Sequence, residues 1–400
     1  MKKERKKGKI IATSVVIALC ILLIIPYACQ DKAGKLLPIN EISEFFVNED
    51  IAKTVAENFM QKTNPSLKSA QSYKLKKIRD DDGVELIYVV NFDEGGFILM
   101  PSDNRVNPIL AFSETNFFET ENIDNTNGLS LWMDVTKKGI KNIKKSKNHQ
   151  SKEMKALWEK HLKKFNLKDG GIGGEPPCED SQVTKGPLLS TAHDQWSQVV
   201  WFNLSCPTEA QVEAQYGCDA DFSEGDGHAY AGCAPVAMGM IMRYYEYPNT
   251  YNWDQMLDYY GTTASADLLR DIGSQIGVEY KCTGSSIRFN WQIQLGFSRF
   301  GYSSYGTIKS YNHTSDFSTV MYEINANRPV IFSGFDSEDN GHSWICDGYK
   351  VYKTCIDEYS WTESYYHHMN WGDGGGIAFY SYGFFDGYDN DLHLIYRIQP

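Results

Sequence analysis

Apolar residues in the first third of the chain recur at two different spacings, which predict one helix and one hairpin. Across residues 49–60 an apolar side chain returns every three to four positions, which predicts an amphipathic helix with Asn48 at its N-cap. Two apolar runs, 85–90 and 96–100, flank a turn of acidic residues and glycines, which predicts a β-hairpin. Residues 40–135 are therefore predicted to form a small α+β unit.

The second half is predicted to place one apolar helix before several strands. Residues 232–244 are small and apolar, Pro235 fits within a first helical turn, and Pro248 prevents the helix from continuing. Abundant glycine (33) and tyrosine (25) favour strands and turns over a helical bundle. The predicted fold class is α+β. Strands are predicted at residues 330–332, 343–347, 368–371 and 392–398.

A lysine-rich segment, residues 136–168, separates the two patterns. Leu157 and Leu162 indicate some helix there, but the density of charge predicts an exposed segment that trypsin-like proteases can reach. The segment ends in the glycine- and proline-rich run 169–177, which is typical of a linker. From Cys178 onward the sequence is aromatic, acidic and poor in lysine, so a second domain is predicted to begin there.

The charge of the chain is divided unevenly. Residues 1–177 carry 28 Lys and Arg against 23 Asp and Glu, a net charge of +5. Residues 178–400 carry 11 against 28, a net charge of −17, and the two sum to the −12 of the whole chain. So acidic a domain repels phosphate, which argues against nucleic acid as its partner. The opposite signs suit two pieces that bind each other; the alternative is that each set of charges only keeps its own domain soluble.

The N-terminus has the pattern of an export signal. A basic stretch, residues 1–9, precedes the apolar run 10–25, which is too short for a comfortable membrane span. Ala28 before Cys29 resembles a bacterial lipoprotein signal, in which Cys29 becomes the lipidated first residue. Ordinary cleavage or an uncleaved anchor are the alternatives. The expected location is the bacterial cell envelope, lipid-anchored, or the secreted fraction, and any membrane contact is expected only through this signal or anchor.

Seven of the nine cysteines lie outside this signal, and seven is an odd number. In an oxidising compartment this predicts one free reactive thiol beside up to three disulfides, whose pairing the spacing leaves open. No pair of cysteines has zinc-ligand spacing. The seven are Cys178, Cys206, Cys218, Cys233, Cys282, Cys346 and Cys355.

Cys233 stands at the start of the predicted apolar helix, where unpaired N–H groups and the helix dipole stabilise a thiolate. Taken alone, the segment suits a buried structural cysteine on a core helix better than a nucleophile. His342 begins a predicted strand and supplies the base that a nucleophilic thiol needs. Asn370 could orient that imidazole, and the ring of Trp371 could shield it from water. Gln198 is a candidate donor to an oxyanion.

The chain from about residue 183 to 400 resembles the streptopain family of papain-like cysteine peptidases, and residues 85–113 resemble that family's propeptide. The resemblance implies an inactive zymogen that proteolysis converts into a papain-like endopeptidase, with a helix-rich part carrying the cysteine and an antiparallel sheet carrying the histidine. The motifs include Trp196-Ser197-Gln198, Gly232-Cys233, Arg328-Pro329-Val330, Gly341-His342, Asn370-Trp371-Gly372 and, in the propeptide, Tyr88-Val89-Val90-Asn91 and Gly95-Gly96-Phe97.

On this basis we expect protein or peptide substrates, no cofactor, and the chain's own propeptide as an intramolecular inhibitor. Cys233 is then the nucleophile, His342 the base and Gln198 the oxyanion donor, while Asn370 and Trp371 hold the histidine. The expected organisation is a signal peptide at 1–29, an inhibitory propeptide domain at 30–135, a basic linker with the activation cleavage at 136–177, and the peptidase domain at 178–400.

Two positions depart from the family pattern. Asp373 stands where the family usually has a second tryptophan, and a carboxylate there is expected to alter subsite preference or raise the pKa of the histidine. Ala234-Pro235 replaces the β-branched residue that commonly follows the cysteine. Neither change removes a catalytic group.

Two other features of the sequence could indicate a metal site. His367 and His368 are adjacent, so on a strand they point to opposite faces and make a poor metal site. The acidic residues around Asp221 match no calcium loop. The rival functions are another thiol acyl-transfer enzyme, such as a transglutaminase-like or amidase domain, and a surface binding protein that keeps a dead peptidase fold.

Overall fold

The chain divides into two compact units, Met1–Phe46 and Val47–Pro400, and the features below belong to the second. The predicted signal peptide and the whole glycine- and proline-rich run 169–177 lie outside the described residues. No helix in the described part of the chain combines the length and apolar character needed to cross a membrane. The computed structural model describes residues 44–63, 72–120, 128–163, 178–189, 195–199, 201–335, 341–373, 376–381 and 392–400.

The first elements are a capped helix and a four-stranded antiparallel meander. The side chain of Asn48 accepts a hydrogen bond from the N–H of Ile51 at 2.9 Å, so the predicted cap is confirmed. The predicted hairpin is also confirmed, with Asn91 paired to Phe97 next to its turn. The elements are α1 (Glu49–Thr63), β1 (Tyr73–Arg79), β2 (Glu85–Phe92), β3 (Phe97–Pro101) and β4 (Ala111–Ser113).

Two helices occupy much of the segment that the sequence assigned to a basic linker. Helix α2 (Gly128–Lys145) crosses the predicted boundary at residue 135, and α3 (Lys152–Leu162) follows it. The reason is an amphipathic pattern: Trp132 and Ile140 are buried, while Lys137, Lys138 and Lys141 lie at half-buried or exposed positions of the helix. The lysine-rich segment is therefore in large part folded onto the sheet, and only residues 164–177 lie outside the description.

The second half contains the predicted cysteine helix and a set of strands longer than the sequence predicted. Helix α5 begins at Cys233, and the strand that carries His342 extends to Cys355. The helices are α4 (Glu209–Tyr216), α5 (Cys233–Tyr245), α6 (Thr263–Ile276), α7 (Trp291–Arg299) and α8 (His313–Asn325). The strands are β5 (Ser181–Lys185), β6 (Glu279–Lys281), β7 (Gly284–Ser286), β8 (Ser304–Ser310), β9 (Val330–Phe335), β10 (Gly341–Cys355), β11 (Trp361–Asn370), β12 (Ala378–Ser381) and β13 (His393–Gln399).

A single antiparallel sheet runs through both halves of the unit. Its strand order is β1-β2-β3-β4-β12-β11-β10-β9-β13-β8, with β5 also paired to β10. The two halves meet where β4 pairs with β12. The N-terminal domain is therefore an extension of the sheet that carries His342, and its backbone hydrogen bonds continue those of the second half.

The sheet has an apolar core on each face. Ile331 and Ile345 pack with helices α5, α6 and α7 on one face, whereas Trp344 and Phe332 pack with α2 and α8 on the other. Alternating residues of a strand point to opposite faces, so β10 contributes to both cores. Helix α5 packs against β10, and this packing brings the start of the helix close to the start of the strand.

Two disulfides lie among the described residues. Cys178 is bonded to Cys355, which links the segment just before β5 to the last residue of β10. Cys218 is bonded to Cys282. Cys206, Cys233 and Cys346 are free. The sequence predicted one free thiol beside at most three disulfides, and the count of one is wrong: Cys206 and Cys346 remain unpaired because they lie in the apolar cores on opposite faces of the sheet.

We expect the Cys178–Cys355 bond to stabilise the protein by closing a loop between residues 177 positions apart. The double variant Cys178→Ser/Cys355→Ser should lower the free energy of unfolding by about 2–4 kcal/mol, measured by urea denaturation of the full chain. Either single variant should cost nearly as much as the double. Costs of the two single variants that add up in the double would instead assign the loss to the side chains themselves.

Candidate active site

Cys233 occupies the first position of helix α5, where the backbone in front of it requires glycine. Gly232 has a φ of 95°, a conformation that residues with a Cβ rarely adopt. A Cβ at this position would also lie 3.3 Å from Cδ of Pro235. Cys233 is partly exposed, whereas the helix residues that follow it, 234–242, are buried. A thiol at a helix N-terminus faces unpaired N–H groups, which favour its thiolate.

His342 lies at the start of β10 and is only 3% exposed. Its Nε2 lies 3.0 Å from the carbonyl oxygen of Trp371. A carbonyl only accepts, so Nε2 carries the hydrogen and Nδ1 is left to face the thiol of Cys233. The buried Nδ1 has no hydrogen-bond partner of standard geometry among the described residues, and the charge of Cys233 contributes more than hydrogen bonding to its effect on the imidazole. The ring of Trp344 lies nearly parallel to the imidazole, with centroids 6.1 Å apart.

The charges of the two side chains stabilise each other. Burial alone would raise the pKa of Cys233, but the charge of His342, hydrogen bonding to it, and backbone hydrogen bonds from Ser343 and Ala234 lower the pKa below its ordinary value. Burial alone would lower the pKa of His342, but Cys233, the carbonyl of Trp371 and the charge of Asp373 raise it. The arrangement therefore favours a thiolate beside an imidazolium.

The other two free thiols show what burial does where no imidazole contributes. Burial raises the pKa of Cys206 to about 11 and also raises that of Cys346, next to the charge of Asp347. Among the free thiols that the structure describes, only Cys233 has a lowered pKa. This contrast distinguishes Cys233 from the other two, which the cysteine count alone could not do.

Gln198 lies next to the cysteine helix. Its backbone carbonyl accepts a hydrogen bond of 2.9 Å from the N–H of Ala231, two residues before Cys233. The residue is half-buried. The neighbouring Trp196 is fully buried and donates its indole N–H to the carbonyl of Leu257 at 3.2 Å. This backbone bond places Gln198 next to the segment that leads into Cys233, and its role as an oxyanion donor stays a prediction.

Asn370 lies in a different position from the one predicted. The sequence predicted that its amide orients the imidazole, but the atom at Nε2 is the carbonyl oxygen of Trp371. Strand alternation explains the difference: Asn370 pairs with Ile345, which points to the face opposite Trp344. The side-chain oxygen of Asn370 accepts from the N–H of Gly372 at 3.1 Å. It thereby holds the turn that presents the Trp371 carbonyl.

Trp371 is fully buried, as the shielding role predicted for it requires. Its ring packs against Trp344, with centroids 5.2 Å apart, and against Tyr380, with centroids 5.0 Å apart. The sequence missed Trp344. The signal available was its position two residues after His342, on the same face of the strand.

The start of helix α2 covers the histidine. A Cβ on Gly128 would lie 2.7 Å from Cδ2 of His342 and 2.6 Å from Cε3 of Trp371. Next to it, Leu129 and Trp132 belong to the same apolar core as Trp371. The N-terminal domain therefore touches the site directly, a contact that the sequence did not reveal.

The adjacent histidines of β11 each have a protein partner. His367 Nε2 lies 2.8 Å from the hydroxyl of Tyr311, and His368 Nδ1 lies 2.6 Å from a carboxylate oxygen of Asp347. The other oxygen of Asp347 accepts from the N–H of Leu189 at 3.0 Å. The two histidines thus serve separate structural contacts, on opposite faces of the strand as predicted.

Comparison with known proteins identifies both halves of the unit. The peptidase C10 family matches residues 249–381, which include His342, and the Spi protease inhibitor family matches residues 44–140. The chain carries a peptidase C10 domain behind a Spi-type inhibitor domain. It is therefore a cysteine-type peptidase made as a zymogen. Cys233 and Gln198 precede the residues matched by the C10 family.

Individual relatives extend the match over most of the chain. Streptopain of Streptococcus pyogenes is 25% identical over 388 residues, covering 84% of this chain and 85% of that protein. The thiol protease/hemagglutinin PrtT of Porphyromonas gingivalis is 23% identical over 379 residues, covering 82% of this chain and 38% of that protein. The structure of prointerpain A of Prevotella intermedia superposes with a TM-score of 0.51 at 18% identity, covering 81% of this chain and 98% of that one. This superposition confirms the predicted papain-like α+β fold with a prodomain.

The charge of Asp373 should be visible in the pH dependence of this C10 peptidase. Activity is expected to fall at low pH as the Cys233 thiolate is protonated, and at high pH as His342 loses its proton. Because Asp373 raises the pKa of His342, Asp373→Asn should move the alkaline limb of the kcat/KM profile to lower pH. The measurement uses a short fluorogenic peptide and the processed enzyme.

The matched control is Asp357→Asn, an exposed carboxylate in the turn between β10 and β11. It should leave both limbs unchanged. An alkaline limb that stays in place in the Asp373 variant would contradict the electrostatic role of this residue.

Proposed function

We propose that the chain is the precursor of an exported cysteine endopeptidase, with Cys233 as nucleophile and His342 as general base. The observation that carries this proposal is the placement of Cys233 at the N-terminus of helix α5, beside an imidazole whose Nε2 is held by the carbonyl of Trp371; the lowered pKa of Cys233 and the raised pKa of His342 agree with it. A thiolate–imidazolium pair at a helix N-terminus is the activated form of a cysteine nucleophile. The peptidase C10 match supports the same chemistry.

In the proposed reaction the Cys233 sulfur attacks the carbonyl carbon of the scissile peptide bond. The developing oxyanion accepts hydrogen bonds from the side-chain amide of Gln198 and the backbone N–H of Cys233. His342 gives its proton to the leaving amine, the C–N bond breaks, and a thioester to Cys233 remains. Water then attacks this thioester with His342 as base, which releases the carboxylic acid and regenerates the thiol.

Asn370 and Trp371 act in this proposal by positioning the base. The carbonyl of Trp371 fixes the imidazole with its Nε2–H inward, and Asn370 fixes the turn that carries this carbonyl. The buried Trp371 ring keeps water from the contact. Removal of these groups is expected to slow the reaction without removing its chemistry.

The N-terminal domain is proposed to inhibit the peptidase by covering His342. Gly128 permits the close approach of helix α2 to His342 and Trp371, and Trp132 donates its indole N–H to the carbonyl of Ser381 at 3.3 Å. Activation then requires cleavage in the basic linker, which we assign to residues 164–177. The peptidase domain would accordingly begin near Cys178, which stays attached to Cys355.

Export, lipid anchoring and substrate preference are further parts of the proposal that rest on sequence. The basic and apolar residues 1–25 support export, and Ala28-Cys29 supports a lipid anchor in the cell envelope. The resemblance to streptopain supports a preference for a bulky apolar side chain one residue before the cleaved one. Asp373 stands in the place of a tryptophan, and its carboxylate is expected to alter this preference.

The proposal requires that Cys233→Ala abolish turnover. We expect kcat/KM for casein to fall by a factor of about 10⁴ or more, because the nucleophile cannot be replaced by binding alone. In the wild-type protein processed by trypsin, E-64 should label Cys233, as located by mass spectrometry, and activity should be lost in proportion. The control is the variant Cys206→Ala, which removes a buried thiol remote from the imidazole. This variant should still be labelled at Cys233 and should remain active.

Casein cleavage by the Cys233→Ala variant would refute the assignment. Absence of both label and cleavage in the processed wild-type protein would favour a binding protein with a dead peptidase fold. Incorporation of an amine into a glutamine substrate, without hydrolysis, would favour a transglutaminase-like enzyme.

Gly128→Ala should weaken the packing of helix α2 against His342 and Trp371. The added Cβ meets two aromatic rings closer than atoms in proteins approach, and overpacking of this kind costs about 1–3 kcal/mol. We therefore expect E-64 to label Cys233 of the unprocessed full chain about 5–150 times faster than in the wild type, since each 1.4 kcal/mol is a factor of ten.

The control for this experiment is Asn142→Ala, an exposed residue of the same helix, which should label at the wild-type rate. Equal labelling rates for Gly128→Ala and wild type would show that the start of α2 does not govern access to the thiol.

A further inference from the structure

Strand β12 of the peptidase domain is an edge that the propeptide covers. Phe379 pairs with Phe112 and Tyr380 pairs with Ala111 in antiparallel register. The N–H of Ser381 donates to the carbonyl of Leu110 at 2.8 Å. Loss of the propeptide would therefore leave the backbone groups of β12 without these partners. An open edge of this kind pairs readily with another extended segment.

Aromatic rings of the peptidase domain form a receptor for one side chain of the covering strand. The ring of Phe112 stacks on Phe379, with centroids 5.3 Å apart and an interplanar angle of 17°. It also meets Tyr366 edge to face at 5.3 Å. The hydroxyl of Tyr366 donates to the carbonyl of Ile109 at 3.2 Å. Phe379 and Tyr366 are thus buried in an apolar core that belongs mainly to the propeptide.

A cation lies beside this receptor. Lys350 on β10 is 8% exposed, and its Nζ lies 4.7 Å from the centroid of Phe379 and 5.2 Å from that of Phe112. Its ionic partner is Glu114 of the propeptide. Phe112 and Glu114 are two residues apart, so an extended strand presents both to the same face. Removal of the propeptide also removes Glu114, so the ammonium group of Lys350 loses this ionic partner.

The edge is connected to the catalytic centre. Tyr380, the residue after Phe379 on β12, packs against Trp371 with ring centroids 5.0 Å apart. The carbonyl of Trp371 contacts the imidazole of His342. A polypeptide held along β12 is therefore anchored next to the cleft.

We propose that, in the activated enzyme, the β12 edge with Phe379, Tyr366 and Lys350 is a second substrate-binding site. It takes an extended segment of a protein substrate in which an aromatic residue is followed two positions later by an acidic one. The aromatic ring replaces Phe112, the acid replaces Glu114, and the segment's backbone replaces β4. This inference rests on the proposed function, because it requires removal of the propeptide.

Net charge favours a substrate segment over a second copy of the enzyme at this edge. Residues 178–400 carry 11 basic and 28 acidic residues, a net charge of −17, so two copies repel each other. Strand β12 itself, Ala378–Ser381, has no acidic residue that could pair with the Lys350 of another copy. A short substrate segment with an aromatic residue and an acidic residue pairs with Lys350 and avoids that repulsion.

The direct test measures binding of a fluorescein-labelled peptide of residues 109–116 by anisotropy. The protein is the activated full chain, freed of its propeptide by gel filtration and alkylated at Cys233 with iodoacetamide, so that cleavage cannot interfere. We expect saturable binding, weakened about tenfold or more in peptides carrying Phe112→Ala or Glu114→Gln. The enzyme variant Lys350→Met should lose the same factor and should no longer distinguish the Glu114→Gln peptide. Because the peptide variants need no folded enzyme of their own, a misfolded Lys350 variant would not remove the test.

The kinetic test uses active enzyme, the unlabelled 109–116 peptide, and two reporters: casein extended by the sequence of residues 109–116, and a short fluorogenic peptide. We expect the competitor to raise KM for the extended casein and to leave the short peptide unaffected. Competition against both reporters equally would place the peptide in the catalytic cleft and overturn the proposal, as would absence of binding. A dimer on gel filtration that the peptide fails to dissociate would assign the edge to a second copy instead. Absence of turnover of both reporters would refute the proposed function alone, since the binding measurement does not depend on activity.

Discussion

The attraction between the Cys233 thiolate and the His342 imidazolium is the interaction on which the arrangement of the site depends. Burial acts against both charges, because it raises the pKa of a thiol and lowers that of an imidazole. Cys206 and Cys346 show this effect, since their pKa values are raised. The juxtaposition of the two charged side chains makes the largest of the contributions that reverse both directions. The start of a helix and the start of a strand must therefore meet, and the packing of α5 on β10 makes them meet.

Latency follows from the same sheet. The turn after β11 presents the carbonyl that holds His342, and the next strand, β12, pairs with β4 of the propeptide. Tyr380 of β12 and Trp132 of α2 both pack around this region, with their rings 4.8 Å apart. The propeptide is thus a continuation of the structure that orients the base, and it covers the base with helix α2. Its removal changes an edge of the catalytic sheet as well as the access to the cleft.

Local elements could be predicted from sequence, and so could the side chains proposed as nucleophile and base. The helix after Asn48, the hairpin of β2 and β3 and the helix at Cys233 follow from short-range spacing, which the chain encodes directly. The join of β4 to β12 could not be predicted, because both strands are too short to give a pattern. The orienting role of the Trp371 carbonyl was also out of reach, since every residue has a carbonyl. Nor could the disulfide pairing be derived, because it depends on which strands are neighbours.

The charge asymmetry shows where a whole-chain quantity stops being informative. Opposite net charges of the two parts suggested electrostatic docking, and Lys62 and Lys160 do approach Asp180 in that sense. The pair beside Phe112 and Phe379 has the reverse polarity, with the cation Lys350 on the acidic domain and Glu114 on the propeptide. Salt screens the effect of net charge beyond about 8–10 Å, whereas the attraction within a partly buried pair depends on its immediate neighbours. Paired strands and stacked rings also hold this interface, so the reversed Lys350–Glu114 pair contributes specificity more than attraction.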